Sequence, residues 1–116
     1  MYEEETLKLV YSRMIDSIEI LAAEADEQIM KLEGYVVTDE IALSFHDEVR
    51  LSSEILLEHG KITEQQYKKI LEIDNKFDKM SDNKDLWTDE QLRISSIWEE
   101  CRQKGRALLR SLGMQV

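Results

Sequence analysis

Apolar side chains recur at Leu7, Tyr11, Met14, Ile18, Leu21, Ala25 and Leu32, in steps of four and three interrupted only by Gln28. Steps averaging about 3.5 residues place these side chains in one stripe along a helix. With the acidic leader, the pattern predicts a helix over residues 2–32, about 45 Å long at 1.5 Å per residue. A one-sided helix of this length cannot bury its stripe alone, so it needs partner helices.

The remainder of the chain supplies them. Gly34 suits the left-handed position that closes the first helix. The apolar trio Tyr35-Val36-Val37 follows as a connection, and Thr38 is the expected cap of a helix over 39–59. Its stripe is Ile41, Phe45, Val49, Ser52 and Leu56, and it ends at His59-Gly60. Thr63 and Gln66 form a capping box, with Ile62 and Tyr67 at the staple positions, so a helix is predicted over 64–80. Ile70, Ile73, Phe77 and Met80 face inward there, and Ser81-Asp82-Asn83-Lys84-Asp85 is a polar break. Thr88 with Gln91, and Trp87 with Leu92, repeat the same start for a helix over 89–112. Its stripe is Ile94, Trp98, Cys101, Gly105, Leu108 and Leu112. Glycine inside a helix costs about 1 kcal/mol relative to alanine. Gly105 therefore predicts the close approach of another helix, against a large residue of the first. Short connections imply antiparallel neighbours. The expected fold is all-α: a single domain over 1–116, an up-down four-helix bundle with a long N-terminal helix.

Composition narrows the class. A chain of 116 residues builds one core. It has no proline, which favours uninterrupted helices. No apolar run approaches the roughly 18 residues of a membrane span. The start Met1-Tyr-Glu-Glu-Glu is the reverse of a signal peptide's positive region. The lone Cys101 cannot form an internal disulfide. A cytoplasmic protein is expected. The net charge of −10 is uneven: residues 1–60 hold 15 acidic and 4 basic side chains, and residues 61–116 hold 10 and 11. Such a surface repels nucleic acid and anionic lipid, and it attracts basic protein.

Catalytic chemistry finds little footing. Neither His46 nor His59 has a glutamate three residues before it, the spacing a di-iron carboxylate bundle needs. Glu24 with Glu27, and Asp16 with Glu19, are i,i+3 pairs. They resemble half of the Glu-x-x-Glu arrangement in all-α nucleotide pyrophosphohydrolases of the MazG type, which implies magnesium-assisted phosphate chemistry. The Glu-x-x-Asp of the second half is missing: Glu40, Glu48 and Glu72 are followed by Leu43, Leu51 and Asn75. Arg50 and His59 are spaced too widely for the Arg-x4–6-His motif of helical HEPN-type ribonucleases. Cys101 lies on an apolar stripe, where it behaves as a small hydrophobe. Arg102, Lys104, Arg106 and Arg110 complement a helix C-terminus. No catalytic, cofactor or metal site is expected.

Two roles remain. The first is a non-enzymatic acidic binding protein, an immunity- or antitoxin-type inhibitor of a basic toxin or nuclease, with no direct nucleic-acid or membrane contact. Its candidate surface is Asp16, Glu19, Glu24, Asp26, Glu27, Asp39, Glu40, Asp47 and Glu48, with Tyr35 as an aromatic anchor of the kind that dominates interfaces. In size and charge the chain resembles bacterial immunity proteins. The second is a structural or regulatory helical module, a homodimer whose interface uses the heptad-like stripe of the first helix.

Overall fold

The computed structural model describes residues 3–116, so the expected helix start at Tyr2 lies outside the described residues. Among these the chain is all-helical, without strands. The elements are α1 (Glu4–Ala22), α2 (Ala25–Lys31), α3 (Val37–Ser44), a π-helical segment (Phe45–Arg50), α4 (Leu51–Glu58), α5 (Glu64–Met80), a 3-10 turn (Lys84–Leu86), α6 (Asp89–Ile94) and α7 (Ser96–Ser111). α3, the π segment and α4 run on as one rod. This rod packs with α1, α5 and α7 around one continuous core, in a body of 42 × 25 × 25 Å.

The stripe of α1 is the spine of that core. Met14, Ile18 and Leu21 are buried with Phe45, Phe77, Trp98 and Leu108, and Leu7 is buried toward the start of the helix. Rings continue through it at tilted or edge geometry: Phe45 to Phe77 at 5.9 Å, Phe77 to Trp98 at 5.9 Å, and Trp98 to Trp87 at 5.3 Å. The buried Trp98 donates Nε1–H to the Leu86 carbonyl, 2.7 Å away, which satisfies its polar edge. Gly34 and Gly60 carry positive φ just beyond helix ends, as expected, and so does Gly113 after α7.

The single helix expected over 2–32 breaks. Ala23 and Glu24 are extended, with ψ of 158° and 151°, and α2 sets off at a new angle. No proline or glycine marks the place. The break is held from elsewhere in the fold. Gln28, the interruption in the apolar series, is fully buried and donates Nε2–H bonds to the Ile20 and Leu21 carbonyls at 3.0 and 2.9 Å. Arg106 of α7 donates Nε–H to the Ala22 carbonyl at 2.9 Å. Carbonyls at the end of α1 are thus satisfied by side chains of α2 and α7.

Three further expectations shift. Thr38 does not cap: it is buried inside the first turn of α3, whose start is Val37 rather than residue 39. The inner face of the rod takes Ser53, fully buried, in place of the half-buried Ser52. Ile41, Phe45, Val49 and Ser53 lie every fourth residue, a rhythm that the wider π turn keeps in phase. The helix expected over 89–112 breaks at Ser95, whose Oγ accepts from the Ile97 amide at 3.1 Å to cap α7. Ile94, expected on the inner stripe, falls at this break and is exposed.

Candidate protein-binding surface

Nine carboxylates and Tyr35 form the candidate surface, and the fold treats them unequally. Glu24 receives Arg106 Nη2 at 3.0 Å, Asp26 receives Arg93 Nε at 2.8 Å, and Glu27 pairs with Lys31 at 3.5 Å. These three neutralise cations of the same chain. Asp16, Glu19, Asp39, Glu40, Asp47 and Glu48 make no ion pair among the described residues.

Those six are carried by adjoining elements. α1 brings Asp16 and Glu19, and the α3–π rod packed beside it brings the other four. Ser17 and Ser44 share a hydrogen bond of 2.9 Å across that seam, with Ser17 buried. Glu40 and Glu48 lie one turn either side of Ser44 and are half-buried, while Asp16, Glu19, Asp39 and Asp47 are exposed. Like charges held on packed helices raise one another's energy, and a cation from outside relieves it.

Tyr35 and Val36 are both 64% exposed, whereas Val37 turns into the core. The aromatic candidate therefore stands in water, one turn before Asp39 and Glu40. Trp87 is half-buried and donates its indole N–H to the Met80 carbonyl at 3.0 Å, so only ring carbon remains to meet solvent.

Features outside the predicted set complete the surface. Leu43 is 57% exposed on α3 and faces Trp87 across a groove of about 470 Å³, lined also by Asp39, Ala42, Ser81 and Lys84. Asp82 and Asp85 stand in the connection that forms its far wall. They are exposed acidic residues of the less acidic half, in the same connection as the lining residues Ser81 and Lys84. The alternation Asp82-Asn83-Lys84-Asp85 was readable as a turn, but its pairing with α3 was not.

The groups considered for chemistry are dispersed. His46 Nδ1 lies 3.3 Å from Asp74 Oδ1 at the surface, and His59 sits at the end of α4. Cys101 is fully buried, with its thiol 3.5 Å from the Met80 sulfur, and burial pushes its pKa up to about 11. Among the described residues no three His, Cys, Asp or Glu side chains gather as a metal site, and no helix is long and apolar enough to cross a membrane. Comparison of the chain with protein-family models, curated proteins and solved structures returns no match.

Proposed function

We propose that this chain is a non-enzymatic acidic binding protein of the immunity or antitoxin kind, which neutralises a basic toxin or nuclease by covering its cationic surface. The observation that carries this reading is the set of six carboxylates on α1 and the α3–π rod that no cation of the chain answers. A potential of one sign steers a basic protein to the surface and makes association fast and salt-sensitive. Tyr35, exposed among them, supplies the apolar contact that charge alone lacks.

The scaffold suits the role. Contacts between α5 and α7 run Lys76–Glu100, Glu72–Lys104 and Gln66–Ser111, the order of antiparallel neighbours. Lys61–Glu4 and Ser17–Ser44 relate the rod to α1 in the same sense. These pairings support an up-down arrangement of four principal rods, stiff enough to hold charges in register. The alternative, a homodimeric structural module, draws less support, because the α1 stripe that would form its interface is used inside the chain.

The test is co-expression with the product of the adjacent reading frame. A complex that forms at low salt, separates near 0.5 M salt (where the Debye length is only about 4–5 Å), and fails for the variant Asp16→Lys/Glu19→Lys/Asp47→Lys/Glu48→Lys supports the reading. If that variant, with helicity unchanged, binds as the parent does, the reading is abandoned. A salt-resistant dimer of the chain alone favours the homodimeric module.

A further inference from the structure

Charge complementarity sets the rate of encounter, while affinity concentrates at a few apolar or aromatic contacts that exclude water. The position of such a contact is therefore a separate question from the sign of the surface. Exposed apolar residues and unanswered carboxylates coincide at the groove between α3 and the connection from α5 to α6. Its walls are carbon: Ala42 and the exposed Leu43 on one side, and the Trp87 ring on the other. The indole N–H is already engaged by the Met80 carbonyl, so the ring offers a face and no donor. Trp87 is also braced edge-on against the buried Trp98, with ring centroids 5.3 Å apart, which fixes this wall in place.

The charged lining is Asp39 on α3 and Lys84 on the other side. The exposed Asp82 and Asp85 lie two residues before Lys84 and one after it, in the same connection. None of these three carboxylates has an ion pair among the described residues. Lys84 and Asp39 line the same groove without pairing to each other. An apolar floor with three unanswered carboxylates and one ammonium beside it is complementary to a large apolar side chain carried between cations.

We infer that this groove is the anchoring site for the basic partner: a short Lys/Arg-rich segment inserts an apolar side chain between Leu43 and Trp87 and lays its cations on Asp39, Asp82 and Asp85. The inference rests on the acidic-binder reading above and locates its contact. The groove is open to solvent, and its volume of about 470 Å³ leaves room for a large apolar side chain laid along it. A cation laid over the exposed face of Trp87 gains further from the ring quadrupole.

The probe is a synthetic peptide with lysines and arginines around a central Leu-Phe pair, titrated into isotopically labelled protein at low salt. Two control peptides replace Leu-Phe by Ser-Ser, or the cations by glutamate. The first peptide is expected to move the Leu43 amide and the Trp87 indole signals, and both controls to leave them in place. Leu43→Arg, at an exposed position that tolerates it, should weaken binding about tenfold or more. Glu64→Gln, exposed at the start of α5 away from the groove, should change it less than about twofold. If the Ser-Ser peptide binds equally well, or Leu43→Arg binds as the parent does, the groove assignment falls and the acidic-binder reading survives. If no cationic peptide causes a salt-sensitive shift anywhere, both fall. If the Leu43 and Trp87 signals move with protein concentration alone, the occupant is a second copy and the assignment is overturned.

Discussion

Gly105 of α7 lies directly beneath Leu21 of α1. A Cβ built on Gly105 would stand 3.1 Å from Leu21 Cγ, 3.3 Å from Leu21 Cδ2 and 3.4 Å from the Ala22 amide nitrogen. The glycine is what lets the two longest-shared faces of the core meet. In Gly105→Ala, the helix gains about 1 kcal/mol of propensity, and overpacking against Leu21 costs about 1–3 kcal/mol. Steric cost wins, and a net loss of about 1 kcal/mol is expected in urea unfolding. In a Leu21→Ala background the clash is gone and the sign reverses, so the same substitution should stabilise by about 1 kcal/mol. Equal effects in both backgrounds would show that the close approach is not what glycine serves.

Gln28 holds the end of α1. Gln28→Ala removes both donors, leaving the Leu21 carbonyl without its Gln28 partner and the Ile20 carbonyl with only the Ala23 amide at 3.3 Å, beside a small void. A loss of about 2–4 kcal/mol is expected in chemical denaturation. Gln28→Leu fills the void without restoring a donor, so it should recover less than half of the loss. Full recovery by leucine would assign Gln28 to packing alone. Its Oε1 is buried without a partner, and a bound water there is the ordinary way to satisfy such an atom.

Cys101 should be silent toward thiol reagents. Burial raises its pKa to about 11 and closes it to solvent. At pH 8 native protein should react about a hundredfold or more slower than protein in denaturant. Cys101→Ser places a hydroxyl against the Met80 sulfur and should cost about 1–3 kcal/mol. Rapid native labelling would contradict the packing of α7 on α5.

Acid should weaken the α5–α7 contact. Hydrogen bonds from Lys104 to Glu72 and from Lys76 to Glu100 hold both carboxyls below the ordinary 4.5. Because the folded value is the lower one, the unfolded chain takes up protons first as pH falls. Stability from the pairs is whole above the unfolded value and is lost as pH drops through the folded one. Between about pH 5 and pH 3 the urea midpoint of the parent should fall more steeply than that of Glu72→Gln/Glu100→Gln. Both pairs lie at the surface, so the difference should shrink in about 0.5 M salt. Parallel pH profiles would mean that these pairs do not contribute.

The elements that could be read from sequence are those whose signals are local. Thr63 and Gln66 make both halves of their capping box, at 3.1 and 2.8 Å, and Thr88 accepts from the Gln91 amide at 3.1 Å. Gly105 was legible because an interior helical glycine needs a reason. The break after Ala22 was not, since the residues that stabilise it include Arg106, which lies 84 positions away along the chain. The break at Ser95 left a trace in the serine pair before Ile97, which a regular apolar stripe outweighed. Among the surface acids, sequence spacing could name the carboxylates. It could not say that Glu24, Asp26 and Glu27 meet cations from their own chain, or that the connection carrying Asp82 and Asp85 lies across a groove from α3.

The π-helical stretch between Ser44 and Leu51 makes the rod tolerant of length at one place only. Excising one residue there would let the wide turn close to an ordinary α turn, with Leu56 still in the core and the Tyr67–Glu54 contact with α5 still in reach. The same excision from the regular turns of α4, ahead of Leu56, has no slack to draw on and would rotate everything downstream by about 100°, the turn of one α-helical residue. The spare residue is thus a store of length between the half of the rod that meets α6 and the half that meets α5.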